Sequence, residues 1–259
     1  MKKINQIRTG WNQAAARSAI DYIHRGTKYQ DEQNFFSSAH KVCESYVKDF
    51  FIKMNFSPKG KRMLDIGCGV GQITRYFSKL FAEAHGVDFS EKMIEKAIDL
   101  NRDRPNLFFK TNNGVDLSIY QSNFFDFCFS VATFQYIPSV KIIGNYFKEI
   151  SRILKEGGLF KIQLDGRKWV RPGLPTRPGK KLFSPIPFYR PLYNFLRNNY
   201  FVGLVAQLMG DPITVKSYLR GMTVSWKTVQ KILQPLPLEA EIIGKDTALM
   251  WVQGRKICK

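Results

Sequence analysis

The stretch "RMLDIGCGVGQITRYF", Arg62 to Phe77, sets three glycines in five positions, directly behind an apolar run and directly ahead of a helix-like pattern. Such a run reads as a buried strand, a tight turn and the start of a helix. Gly67, Gly69 and Gly71 fall at the carboxyl end of that strand, where an open parallel sheet leaves a crevice for a ligand. Glycine permits the turn, and its missing side chain allows close approach. The free amides and positive dipole end of the following helix would face the same crevice.

Working outward, short apolar runs alternate with helical periods, the pattern of a parallel sheet covered by helices. Strands are expected at "RMLDIG", "AEAHGVDF", "NLFFK", "FFDFCFSVA" and "GGLFKIQLD", with helices near 72–80, 91–102 and 139–154. A further helix starts at about Ser225, a residue suited to an N-cap. Two strand-like runs follow, "LEAEIIG" and "TALMWVQGRK". Only "KD" beside Gly244 separates them, which predicts an antiparallel hairpin closing the sheet. Two amphipathic segments precede the first strand, at roughly 12–25 and 35–53. The expected fold is α/β: a Rossmann-like, doubly wound, seven-stranded sheet, mostly parallel with an antiparallel C-terminal hairpin, plus a helical cap. It divides into an N-terminal helical arm or lid (1–60), a cofactor-binding core (61–165), a basic aromatic insert (166–222) and a C-terminal helix with hairpin (223–259).

Three glycine-loop chemistries compete for residues 65–72. A dinucleotide fold wants G-x-G-x-x-G, and Gln72 occupies its third glycine position. A phosphate loop wants Lys-Ser/Thr after its last glycine, where this chain has Gln72-Ile73. The third pattern, D-x-G-x-G-x-G, is met by Asp65, Gly67, Gly69 and Gly71, with an acidic residue, Asp88, 21 positions beyond Gly67 at the end of the second strand. With "LDIGCGVG", "GVDFSEKMIEKA", "NNGVDL", "FFDFCFSVATFQYIP" and "ISRILKEGGLFKIQ" in order, the chain resembles the class I S-adenosylmethionine-dependent methyltransferases of the UbiE-like, small-molecule kind. The resemblance is strong over 63–165 and weaker over 223–259.

That resemblance implies S-adenosylmethionine as cofactor. The glycine loop, with Cys68 and Gln72, would border its methionine part, Asp65 assisting through its charge. Asp88 would accept both ribose hydroxyls, Phe89 and Met93 would pack on the nucleoside, and Asn113 with Gly114 would border the adenine. The segment Ser130–Gln135, Val131 and Gln135 included, would line the sulfonium side. On the residues alone, Asp88 could cap the next helix and Met93 could be core, readings that the ensemble of blocks outweighs, while Asn113-Gly114 is as readily an ordinary turn. Cys68 reads as a small buried filler rather than a nucleophile. No metal site is expected.

Methyl transfer is an in-line displacement at an activated sulfonium, so much of the acceleration can come from holding the acceptor in place, and a dedicated base is optional. The histidines are His24, His40 and His85. His85 is expected to be structural, because its strand position faces packing helices. Similar sequences often read "QHIP" where this chain reads "QYIP", which puts Tyr136 in place of a histidine. Tyr136 and His40 are the catalytic candidates, each with a packing role as the alternative.

The formal charge of +19 is unevenly spread: net +7 over 1–62, zero over 63–165, +9 over 166–222 and +3 over 223–259. The insert interleaves Arg and Lys with Trp169, Phe183, Phe188, Tyr189, Tyr193 and Phe195. Following the fifth strand, it is expected to overhang the glycine-loop edge and surround the acceptor entrance with basic groups. That pattern suits an anionic membrane interface, nucleic acid, or a solvated cationic face over an aromatic core. The main expectation is a methyltransferase acting on oxygen or nitrogen of a small or lipid-linked anionic acceptor, with peripheral membrane contact through 166–222. An RNA methyltransferase is the alternative, without a recognised RNA-binding module, an N-P-P-Y motif or a Pro-Cys nucleophile. A noncatalytic cofactor-binding partner subunit is a third. The start lacks an apolar h-region, no run approaches the ~20 apolar residues of a membrane span, and the four cysteines form no CxxC pair, so a cytoplasmic protein is expected.

Overall fold

The computed structural model describes residues 2–23, 32–167 and 222–258. Two helices, α1 (Lys2–Ile23) and α2 (Glu32–Lys53), lead into an alternation of β1 (Arg62–Ile66), α3 (Gln72–Phe77), β2 (Glu83–Asp88), α4 (Glu91–Leu100), β3 (Leu107–Thr111) and β4 (Phe125–Ser130). A single 3-10 turn at Phe134–Tyr136 precedes α5 (Val140–Ile153) and β5 (Leu154–Leu164). Beyond the segment 168–221, the chain resumes with α6 (Trp226–Leu233), β6 (Leu238–Ile243) and β7 (Met250–Lys256). Residues 168–221 of the expected insert, its aromatics included, and His24 lie outside the described residues.

The seven strands form one sheet in the order β3-β2-β1-β4-β5-β7-β6. β1 to β5 pair in parallel, while β7 runs antiparallel between β5 and β6. The expected fold class is therefore the observed one. β1 and β4 are nearly continuous apolar runs because both faces of the sheet are covered. On one face, Cys128 and Leu64 pack against Phe147 and Ile150 of α5 and Val229 of α6. On the other, Phe127 and Phe129 meet Val47, Phe50 and Phe51 of α2 and Phe77 of α3. Ser90, Ser139 and Ser225 cap α4, α5 and α6, each accepting a backbone N–H two or three residues on.

Four boundaries differ from expectation. α1 begins at Lys2 rather than near residue 12, because Ile4 and Ile7 extend the buried stripe that Ala14 continues. α3 stops at Phe77, where Ser78 serves as its C-cap. β5 begins at Leu154, ahead of its glycine pair, where its pairing with β4 shifts register between Phe125 and Phe127. The β6–β7 connection takes Gly244 to Leu249 rather than two residues, since Thr247 N–H and its hydroxyl both donate to the Gly244 carbonyl and close a wider turn.

Candidate active site

The loop after β1 holds Gly67, Gly69 and Gly71 all at positive φ, 80°, 55° and 82°. Their reasons differ. A Cβ on Gly67 would lie 2.2 Å from the side chain of Thr133, in the loop after β4, and one on Gly71 would lie 2.6 Å from the Phe109 ring of β3. Gly71 is thus small for packing, and Gly67 lets two loops meet above the sheet. The Gly67 and Cys68 amides donate to the Val87 carbonyl at 2.7 and 3.0 Å, tying the loop to β2. α3 is only six residues long, so what it offers the crevice is side chain, Gln72 and Ile73.

At the end of β2, Asp88 Oδ2 accepts the Gly69 N–H at 3.1 Å and Oδ1 accepts the Ser90 N–H at 2.9 Å. Burial pushes its carboxyl up to about 6, against the lowering effect of these amides. Asp65 lies deeper, 2% exposed, accepting the Thr74 hydroxyl at 2.8 Å. Burial, with the nearby Asp88 charge, pushes it up to about 7. The first acid faces a cavity; the second braces the loop beneath it.

The cavity, of about 350 Å³, lies over the carboxyl ends of β1, β2 and β4. Its volume falls within the roughly 300–1,000 Å³ of small-ligand sites. One end is built from Asp88, Phe89, Met93, Asn112, Gly114 and Tyr146. Asn112 Nδ2 donates to the Asp116 carbonyl and to the Tyr146 hydroxyl, both at 3.0 Å, and its Oδ1 accepts the Gly114 N–H at 3.2 Å. A Cβ on Gly114 would crowd Phe89 at 3.1 Å, so that wall needs glycine. α1 roofs this end with Ile4, Ile7 and Trp11. It is clasped there by Arg8 Nη2 donating to the Asn113 carbonyl at 3.0 Å and by Asn12 Oδ1 accepting the Ser90 hydroxyl at 2.6 Å.

The other end is Tyr46 of α2, Ile73, Val131, Gln135 and Tyr136. Ala132 between them holds φ +56°, a conformation costly for alanine, and its N–H donates to Gln163 Oε1 of β5 at 2.8 Å. Gln72 Nε2 donates to the Phe35 carbonyl and the Ser38 hydroxyl of α2, so the loop is anchored there too. The Tyr136 ring meets Trp11 edge-on at 5.1 Å.

The cavity lining therefore includes Gly67, Cys68, Gly69, Gln72, Asp88, Phe89, Met93, Gly114, Val131, Gln135 and Tyr136 of the residues expected from sequence. His40 is not brought there. Its half-exposed ring packs on Tyr76, 5.2 Å away, beside Glu44, because its position turns it along the outer flank of α2. The Asn113 side chain also faces away, accepting the Val115 and Asp116 amides in an exposed turn, and its neighbour Asn112 points inward. Cys68 is neutral, its thiol pushed well up by burial, as a filler should be. His85 is structural, stacked on Phe108 at 4.8 Å. Sequence reasoning missed Ile4, Ile7, Tyr46, Asn112 and Tyr146; of these, only the 4-7-11-14 spacing of α1 was a readable signal.

S-adenosylmethionine fits these residues. Asp88 is the only charged side chain lining the cavity among the described residues, so the site suits a sulfonium cation rather than a diphosphate. Asp88 would take the ribose, the Phe89–Gly114 wall the flat base, and the loop at Gly67 and Gly69 the methionyl part.

Residues 64–162 match the family model described as a methyltransferase domain. Over 93 residues the chain is 34% identical to a malonyl-[acyl-carrier protein] O-methyltransferase of Bacillus cereus, covering 35% of this chain and 34% of that protein. It is 29% identical over 120 residues to a ubiquinone biosynthesis O-methyltransferase of Pelagibacter ubique, covering 46% and 48%. The chain thus spans between a third and a half of the length of these curated relatives. In structure it is similar to magnesium protoporphyrin IX methyltransferase of Synechocystis with bound S-adenosylhomocysteine, with a TM-score of 0.59, 13% identity, and coverage of 98% of this chain and 99% of that one. The family match makes residues 64–162 a methyltransferase domain, and the described residues share the Rossmann-like fold of solved methyltransferases. The cavity that fits S-adenosylmethionine is lined chiefly from within that domain. Among the described residues, no helix is long and apolar enough to cross a membrane.

Proposed function

We propose that the protein transfers a methyl group from S-adenosylmethionine to an oxygen or nitrogen of a small or lipid-linked, anionic acceptor. The observation that carries this reading is the shape of the cavity: one end bears the carboxylate and glycine wall suited to a nucleoside, and it runs on to an aromatic end that the nucleoside does not need. The bound cofactor supplies a methyl group already activated on a sulfonium. The protein's share is to hold, orient and exclude water. Among the described residues the lining carries no histidine, and its titratable groups besides Asp88 are phenols and the neutral Cys68. An acceptor oxygen that arrives as a carboxylate or phenolate needs no proton removed, which is why an anionic oxygen fits this lining best. The names of the two relatives, both O-methyltransferases, support the same reading.

On this reading the basic segment 166–222 draws the acceptor, or the anionic surface that carries it, toward the aromatic end. Its charge also favours RNA as a second reading. One experiment separates them: incubation with methyl-labelled S-adenosylmethionine and cell lysate, followed by separation into lipid, small-molecule, protein and RNA fractions. Label in the lipid or small-molecule fraction is expected. Label confined to RNA replaces the first reading with the second, and label in no fraction refutes both.

A further inference from the structure

Behind the aromatic end of the cavity lies a buried cation that the cofactor chemistry does not use. Lys161, on β5, is 7% exposed, and its Nζ sits 4.9 Å from the Trp251 ring of β7 and 5.1 Å from the Phe50 ring of α2. Nζ donates to Gln253 Oε1, its cross-strand partner on β7. Gln253 Nε2 donates to Glu241 Oε1 of β6 at 2.6 Å, and Glu241 is paired at 2.8 Å with Lys53 of α2. The network leaves α2 at Phe50, crosses three strands and returns to α2 at Lys53.

Its consequence falls on Tyr46. Tyr46 and Phe50 are four residues apart on α2 and so share a face. The Tyr46 ring lies on Trp251, centroids 4.9 Å apart, and Tyr46 also lines the cavity. In the sheet order, the Asp88 end sits over β2, whereas Trp251 is on β7, beyond β4 and β5. Tyr46 therefore stands on the side of the cavity away from the nucleoside end. Among the described residues its hydroxyl has no hydrogen-bond partner. A phenol in that state, with its ring braced from behind, can give or take one hydrogen bond with whatever sits at that end.

We infer that Tyr46 contacts the methyl acceptor on the β7 side of the cavity, and that Lys161 positions Tyr46 from behind through Trp251. This inference rests on the methyltransferase reading. It deepens that reading by assigning the acceptor subsite and a positioning device. A cation held between two rings strengthens both contacts, and removing its charge loosens them. Burial lowers the Lys161 ammonium to about 8, offset by Glu241 and reinforced by Lys53, the charged groups that face it from β6 and α2. The brace is thus charged at neutral pH and lost as pH rises through about 8.

The test uses the full chain, with methyl-labelled S-adenosylmethionine and the pooled small-molecule and lipid extract of cells as acceptor, alongside calorimetric titration of S-adenosylhomocysteine. Tyr46→Phe should lower the initial labelling rate about tenfold, the worth of one hydrogen bond, while S-adenosylhomocysteine affinity stays within about twofold. In the unmodified protein the rate should fall as pH rises through about 8. In Lys161→Met that limb should vanish and the rate should be low throughout, while S-adenosylhomocysteine affinity within about twofold shows the site still folded even though Gln253 Oε1 loses its donor. A rate in Tyr46→Phe equal to the unmodified protein's overturns the inference and leaves the methyltransferase reading standing. So does an equal loss of S-adenosylhomocysteine affinity, which would place Tyr46 in the cofactor site. An alkaline limb that persists in Lys161→Met overturns the positioning role. No label with the unmodified protein overturns both.

Discussion

Asp88 joins the glycine loop to the ligand, and changing it tests both links at once. Its carboxylate holds the Gly69 and Ser90 amides and has acceptor capacity left over for the two ribose hydroxyls. Hydrogen bonds to a charged acceptor contribute about 1.5–3 kcal/mol each. Asp88→Ala should therefore weaken S-adenosylhomocysteine binding by at least about 3 kcal/mol, roughly 150-fold. Asp88→Asn keeps one acceptor oxygen without the charge and should lose less, about tenfold. Because the carboxyl sits at about 6, only its ionised form offers two acceptors. Affinity in the unmodified protein should be flat above pH 7 and fall toward about tenfold per unit below 6. Calorimetry from pH 5 to 8 reads this out, with melting midpoints to show that the variants fold. Asp88 has no such role if folded Asp88→Ala binds S-adenosylhomocysteine as the unmodified protein does, or if the acidic limb centred near 6 persists in Asp88→Asn.

Three further outcomes follow from the same geometry. Asp65 carries a raised carboxyl, about 7 against 3.8 unfolded, so its ionisation costs stability that is absent below 3.8 and grows to at most about 4 kcal/mol by pH 7. Asp65→Asn should thus raise the melting midpoint relative to the unmodified protein at pH 8 and lose that advantage by pH 4; the opposite trend would contradict the assignment. Gly67→Ala should cost about 2 kcal/mol or more, from its positive φ and the clash with Thr133. Adding Thr133→Ala should recover part of that loss in a denaturant titration, and no recovery would disprove the clash. Arg8→Ala with Asn12→Ala should release α1 from the nucleoside end, weakening S-adenosylhomocysteine several-fold at an unchanged denaturant midpoint; unchanged affinity would reduce α1 to packing.

Much of the sheet was legible because its signals are local. The apolar runs of β1 and β4 announce buried parallel strands, the Asp65-to-Gly71 pattern fixes the loop, and Ser90 and Ser225 mark helix starts. Asp88 could be read from its distance to Gly67, since both lie at strand ends in one crevice. The failures are where one residue step or one packing partner decides. Asn112 and Asn113 are chemically identical neighbours, and only the turn at Gly114 sends one into the cavity and the other to solvent. Tyr46 and His40 both sit on α2, and nothing in their spacing tells that Trp251 of a distant strand draws the first inward while Tyr76 holds the second outside. The hairpin was foreseen, but its loop length depended on Thr247 bonding back to Gly244. Nothing in the sequence singles out Lys161; its burial between two rings is a tertiary fact.

The most direct test of the account is a crystal structure of the full chain with S-adenosylhomocysteine. The ribose should lie within hydrogen-bond distance of Asp88, the base against Phe89 and Gly114, and the sulfur should face the end lined by Tyr46 and Tyr136. A ligand bound elsewhere, or one in this cavity with its ribose away from Asp88, would contradict it.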